Sequence, residues 1–381
     1  MIFKRVTTVL IALCVICALP LIGAAEDMDD DDLSHYAVED DNIAISDDMP
    51  DDTGPDIIGT VTMPHLSMYT GKPLYRGKVV IECALRSAMH MDSKKLITVP
   101  KNGSVEILDI EPDWVLARYK DKLGYLKRFW LYLRPETIDP ATTPPYGVYK
   151  YNYVATCAED TPVQKAPGAG QDAYLTLSEG ARIAIIDVHE GWGRFYYWHG
   201  YGYVDMKNLK DFASVSPTDT PIGPNEPIAA YTSYYKITTN VENVGRMKNI
   251  AVASERISRV YQPGEVFDFN KQVGPYRKSN GYFPAPVLVD GSTAIGYGGG
   301  TCQVSSTMYN VLLQLPGISI LNRRPHQQSG AVYLPVGMDA AVGTDALNLR
   351  FQNNYHFPIR MEAVCQDGAL TMVVYRADSS A

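Results

Sequence analysis

"GYGGGTCQVSSTMYNVLLQLPG", residues 296 to 317, sets three consecutive glycines against a cysteine and then enters an apolar period. Val304, Met308, Val311, Leu312 and Leu315 recur at i, i+4, i+7, i+8 and i+11, which is one helix face turned to a core. Thr301 stands where a helix is capped and Pro316-Gly317 where one stops, so Cys302 falls in the first turn. Cys302, Ser305, Ser306 and Tyr309 group on the opposite face. The first turn's free N–H groups and dipole favour a thiolate by about 0.3–1 kcal/mol. Gly298, Gly299 and Gly300 carry no side chains, which lets a substrate carbonyl approach the sulfur and nearby backbone donors. A nucleotide loop is excluded, because no Lys-Ser/Thr pair follows the glycines. Two readings of Cys302 stay open: a nucleophile, or a structural thiol on a tight turn.

A thiol nucleophile needs a base and a group to orient that base. In "ISILNRRPHQQSGAVYLPVGMDAAVG" a strand leads to His326, a second strand follows, and Asp339 comes after it. The order Cys, His, Asp is that of transglutaminase-like and papain-like folds. Pro325 favours extended backbone before His326, and Arg323-Arg324 add positive potential. A surface-loop histidine is the competing reading of His326. Upstream, Met247, Ile250, Ala253, Ile257 and Val260 have helical spacing between Asn243 and Tyr261, and Pro263-Gly264 ends the run. Alternation at Leu347, Leu349 and Phe351, and from Ile359 to Cys365, gives closing strands, with Cys365 in the core.

The start of the chain frames this chemistry. Lys4 and Arg5, the apolar run Val6 to Ile22 and the small residues Gly23-Ala24-Ala25 have the form of an export signal over residues 1–25. An uncleaved anchor is the alternative. No later stretch approaches the roughly 20 apolar residues of a membrane span, so the mature chain is expected to lack an integral membrane segment. Cys14 and Cys17 lie inside the signal, leaving four cysteines, too few for a disulfide-built scaffold. No Cys/His spacing suggests a metal, and no cofactor is implied. Residues 26–56 hold fourteen Asp and Glu and no Lys or Arg, a disordered acidic linker by composition. With those fourteen charges and the two N-terminal cations set aside, the formal −9 becomes +3 for residues 57 to 381, which gives no footing for nucleic acid.

Residues 57 to 212 read as short strands between Gly, Pro and Asp turns, and they repeat. Cys83-Ala84 answers Cys157-Ala158, Gly103 answers Gly180, Trp114 answers Trp192, and Gly124-Tyr125-Leu126 answers Gly202-Tyr203-Val204, at offsets drifting from 74 to 78. This pattern resembles bacterial SH3-like domains, assigned here to 57–143 and 144–212; in exported proteins such domains commonly bind the cell wall. Cys83 and Cys157 are read as core thiols. Trp192, Tyr196, Tyr197, Trp198, Tyr201 and Tyr203 offer a stacking surface, although alternation sends half of them inward. A proline-rich linker, 213–227, precedes a last domain, 228–381.

"PGEVFDFNKQVGPYRKSNGY", "GGGTCQVSSTMYN", "RRPHQQSGAVYLPVGMDAAV" and "LRFQNNYHFPIRM", in this order from about Tyr231 to Tyr375, resemble the VanW family. Gln327-Gln328 stand where that family more often has Ser. The resemblance implies export and a link to the envelope but no settled reaction. The expectation is a multidomain, secreted, wall-associated protein: two small all-β SH3-like barrels and an α+β VanW domain with a transglutaminase-like or papain-like core. Cys302, His326 and Asp339 are the expected catalytic residues. Gly298, Gly299, Gly300, Thr301, Gln303, Ser305, Tyr309 and Arg324 are the expected substrate contacts, and the expected partner is peptidoglycan or another wall polymer. Two functions remain in play: a cysteine acyl transferase or amidase on wall peptides, and a non-catalytic peptide-binding protein.

Overall fold

The computed structural model describes residues 72–377, apart from positions 112–113, 133–134, 141–142, 169, 199, 222–224, 238, 290–291, 327–330, 332, 336 and 367. The expected signal and acidic tract lie outside the described residues. The rest is rich in β-structure, with α-helices only at Val241–Ile257 (α1), Phe269–Val273 (α2) and Thr301–Leu312 (α3) among the described residues.

The duplication is sharper than the sequence suggests. Tyr75 pairs with Ile107 in the first module and Tyr153 with Ile185 in the second, so 75 to 153 and 107 to 185 are each 78 apart. The same step relates Cys83–Val99 to Thr161–Leu177, Arg86–Tyr125 to Gln164–Tyr203, and Trp114–Lys127 to Trp192–Asp205. Cys83 therefore corresponds to Thr161, whereas Cys157 corresponds to Val79. Val79 N donates to Gly103 O, just as Cys157 N donates to Ala181 O. Matching identical letters had introduced a drift that the backbone pairing removes. Both cysteines are nonetheless buried.

The first module is one seven-stranded sheet in the order 95–99, 83–86, 122–127, 114–119, 104–110, 75–78, 136–137. The second repeats that order as a five-stranded and a three-stranded sheet. Its break falls at Ile186, between strands Arg182–Ile185 and Asp187–His189, where the first module has only a bulge between Ile107 and Asp109. A bulge bends a strand, and a sharper bend parts it in two. The strand pairings close neither module into a complete barrel among the described residues.

The C-terminal part is built on an antiparallel sheet in the order 227–234, 369–376, 359–366, 260–261. Its first strand is wholly buried because α3 covers one face and the second module the other. α1 starts and ends earlier than its period implied, and Val260–Tyr261 forms a short edge strand instead. A second sheet joins 266–268, 350–353 and 318–322, and a hairpin pairs 284–289 with 292–297. The stretch expected as a free linker folds back on itself: Ser216 N donates to Pro227 O at 2.7 Å and Ser216 Oγ to Thr220 O at 2.8 Å.

The two modules differ in what they pack against. The first has cores of its own, around Leu85, Ile107, Val115 and Leu126 and around Leu108 and Trp114, whereas the second shares one core with the C-terminal sheet. Across that junction Ala184 N donates to Thr232 Oγ1, Thr232 donates to Thr371 Oγ1, and Thr371 donates to Arg182 O, at 2.8, 2.8 and 2.5 Å. Each buried polar group is thereby satisfied. Phe195 stacks on Tyr234 and Arg182 reaches Glu362.

Gly124 pairs closely with its neighbours: a Cβ there would stand 2.4 Å from Arg86 O. Gly124→Ala is expected to destabilise the first module by about 1–3 kcal/mol. Because that module has separate cores, calorimetry of the full chain should show one transition moving down while the transition of the shared core stays.

Candidate functional site

The glycines before Cys302 serve packing as much as access. Gly300, at φ +105°, forms the N-terminal boundary of α3 in a left-handed conformation that side chains disfavour, and a Cβ on Gly299 would stand 2.2 Å from Pro286 O. Gly298 and Gly299 are buried, so the turn is tight against its neighbours instead of open to substrate. Thr301 is not the cap: it is the first helical residue, and its hydroxyl donates to Gly298 O at 2.9 Å. Val304, Met308, Val311, Leu312 and Leu315 form the expected apolar stripe.

The opposite face of α3 is polar but not solvated. Ser305 Oγ donates to Ala340 O at 2.6 Å, Ser306 Oγ accepts from Ala340 N at 2.9 Å, and Asn310 Nδ2 donates to Met338 O at 2.7 Å. Cys302 Sγ lies 3.5 Å from Val342 O. The helix thus holds residues 338, 340 and 342 of an extended segment through their backbones. On a neighbouring flank, Gln303 Nε2 donates to Ser233 Oγ and Tyr234 O at 3.0 and 3.1 Å, and its Oε1 accepts from Arg246 at 2.6 Å. Thr301, Gln303 and Ser305 are buried, with their hydrogen bonds spent inside the protein. Substrate contact through these three side chains is thus not available in this arrangement.

Asp339, between the anchored residues, points the other way. Its Oδ2 accepts from His326 N at 2.5 Å and lies 2.6 Å from His326 Nδ1, while Arg323 Nε donates to Asp339 O at 2.7 Å. Ala341 N donates to Arg324 O at 2.7 Å, so residues 323–326 are laid along 339–341. Arg323 also reaches Gly337 O and stacks over the Tyr309 ring at 5.1 Å. Arg323, not Arg324, is therefore the guanidinium that steadies Asp339. Arg324 is exposed and Tyr309 half-buried.

Cys302 is also among the groups that act on the His326 ring and favour its protonated form. Since Nδ1 is taken by Asp339, Nε2 is the ring nitrogen left for another partner. Burial works against a charge on the ring, but the hydrogen bond to Asp339 and the influence of Cys302 outweigh it and push its pKa up to about 10. Burial likewise opposes ionisation of Asp339, yet hydrogen bonds from the His326 side chain and backbone, with Arg323 nearby, hold its carboxyl below the usual range. The other three described thiols are pushed up by burial, Cys83 to about 11.

Three residues that the sequence reading left out also lie in the electrostatic surroundings of Cys302. Tyr276 and Tyr333 lie in the field of Cys302, and burial raises the pKa of both phenols. Arg246 comes from α1, whose backbone abuts Gly300. Tyr276 and Tyr333 stand inside the quoted motifs "PYRKSNGY" and "GAVYLPVG" but lack a periodic signal, and only the fold brings Arg246 near. Among the described residues between 326 and 349, where a second strand was expected, there are only turns and coil.

Residues 245–375, which contain this arrangement, match the family described as VanW like protein. They are a VanW domain. The uncharacterized protein YoaR of Bacillus subtilis is 31% identical over 185 residues, 48% of this chain and 59% of that protein. The chain thus spans less than two thirds of that relative. Among solved structures, NlpC2 and NlpC1 from Trichomonas vaginalis are 11% and 12% identical. They cover 50% and 81% of this chain and 59% and 89% of theirs, at TM-scores of 0.15 and 0.16. An NlpC/P60 family protein from Bacillus cereus is 11% identical, covering 78% and 93%, at 0.15. Scores this low carry no structural argument. Among the described residues no helix of the protein is long and apolar enough to cross a membrane.

The raised His326 pKa links the VanW domain's stability to pH. A group whose folded pKa, about 10, exceeds its unfolded value of about 6.5 adds stability that is full below that lower value and is lost as pH rises through the upper one. Thermal melts should show wild type falling towards His326→Gln between pH 7 and 10.5, while the variant stays flatter. Parallel curves would mean that the ring's partners do not matter to folding.

Proposed function

We propose that this protein is an exported, wall-associated cysteine acyl transferase or amidase acting on peptidoglycan peptides. The observation that carries the reading is one imidazole joined at Nδ1 to buried Asp339, 2.6 Å away, with Cys302 among the groups that favour its protonated form. A protonated ring facing sulfur is the partner a thiolate nucleophile needs, and a buried carboxylate fixes the ring's orientation. Cys302 sulfur attacks the amide carbonyl, forming a C–S bond as the C–N bond breaks, and His326 hands its proton to the leaving amine. Water or a second amine then attacks the thioester with His326 as base, returning the thiolate. A cysteine heading a helix, with Cys, His and Asp in this order, has the plan of transglutaminase-like and papain-like sites. A purely binding role leaves the His–Asp pair without a task.

The envelope setting is supported by the sequence: the export signal at 1–25, the acidic spacer at 26–56, and the duplicated Trp and Gly pattern read as SH3-like, wall-binding modules. The VanW domain adds the family's link to the envelope. On this reading the full chain co-sediments with purified peptidoglycan and a chain lacking residues 57–212 does so less.

Iodoacetamide at neutral pH should label Cys302 at least about tenfold faster than the buried Cys83 and Cys157 or the half-buried Cys365, which the sequence placed in the core; all three thiols are pushed up by desolvation. His326→Ala should slow that labelling and lower turnover on wall peptides by roughly 10²–10⁴. A folded protein whose Cys302 reacts no faster than the buried thiols would overturn the nucleophile.

A further inference from the structure

A second cation, besides His326, is packed against the glycine turn that leads into Cys302. Arg246 projects from α1 at the point where its own carbonyl would lie 2.9 Å from a Cβ on Gly300, so this turn of α1 is wedged against the first turn of α3. Gln303, next in sequence to Cys302, fixes the guanidinium by accepting from Arg246 Nη2 at 2.6 Å. Gln303 is itself locked by Ser233 and Tyr234, so the guanidinium sits on a rigid support. The titratable groups that act on it are Tyr333, Tyr235 and Cys302, and among the described residues no carboxylate forms an ion pair with it. Burial disfavours its charge and lowers its pKa from the ordinary arginine value, although a guanidinium remains protonated at any physiological pH. A largely buried cation without a carboxylate partner is costly unless an anion completes it. The residue is still partly exposed, so such an anion has a way in.

We infer that Arg246 is the specificity-determining residue of the site, binding a carboxylate on the acyl donor beside the carbonyl that Cys302 attacks. This rests on the proposed cysteine chemistry and narrows its substrates to peptides with a free carboxylate close to the reacting bond, as at a peptide C-terminus. A planar guanidinium matches a carboxylate with two parallel hydrogen bonds, which a lysine ammonium does not reproduce.

The test uses two alkylating probes of nearly equal shape, iodoacetate, which carries a carboxylate, and neutral iodoacetamide, on the full chain. Wild type should favour iodoacetate at Cys302. In Arg246→Met the iodoacetate-to-iodoacetamide ratio should fall about tenfold, the scale of losing hydrogen bonds to a charged group. The iodoacetamide rate normalises for any change in the thiolate itself, and a thermal melt reports that the variant is folded. In His326→Gln both rates should drop, yet an anion preference should survive; its complete loss there would assign the preference to the imidazolium and overturn Arg246. An unchanged ratio in Arg246→Met would overturn it equally. A Cys302 inert to both probes would sink the nucleophile alone. Arg246 is then judged by binding of N-acetylalanine against N-acetylalaninamide to Cys302→Ser, followed through the His326 ring signals in NMR. A preference for the acid that Arg246→Met abolishes supports the assignment, and equal binding of acid and amide overturns it.

Discussion

The site depends on a rail of hydrogen bonds between one face of α3 and the backbone of residues 338–342. Ser305, Ser306 and Asn310 grip alternate residues, Ala340 and Met338, and extended backbone sends the residue between them to the far side. That residue is Asp339. The helix therefore delivers Cys302 at its first turn and, a few residues on, fixes the strip that carries the carboxylate. Arg323 and Ala341 then attach the histidine-bearing strip to the same backbone. Small polar residues on α3 suit this work: each hydroxyl reaches a backbone group at short range and costs little side-chain entropy.

The sequence made the apolar half of this helix legible because burial imposes a period. Val304, Met308, Val311 and Leu312 lie where that period puts them. It also made Cys302, His326 and Asp339 stand out by residue type and order, and the structure brings these three together. The polar half misled. A row of Ser and Thr on a helix reads as a wet face, since nothing in a one-dimensional pattern says that a distant backbone will cover it. Gln303 and Ser305 were expected at a substrate and instead sit in the interior. Arg246 had no signal at all, because its nearness to Cys302 arises from the crossing of α1 over the glycine turn.

The same limit explains the repeat. Residue identity marked the duplication through Trp114 and Trp192 and through Gly124 and Gly202, where bulk or its absence is required. It misaligned Cys83 with Cys157, since two cysteines attract attention in any comparison. Backbone pairing, which is blind to side-chain identity, restores a single step throughout.

That constant step makes each copy a record of what the other changed. Glu106 and Arg118 form a salt bridge across neighbouring strands of the first module, and their counterparts 78 residues on are Ala184 and Tyr196, both sealed into the shared core. Ser104 likewise corresponds to Arg182, the residue that grips Glu362. The face that docks the C-terminal sheet in one copy is kept charged in its twin. Covering Glu106 and Arg118 with that sheet would strip water from both charges, a cost the docked copy never meets. The chain thereby discriminates between two near-identical shapes of its own making, and its C-terminal sheet has one berth where the topology alone would offer two.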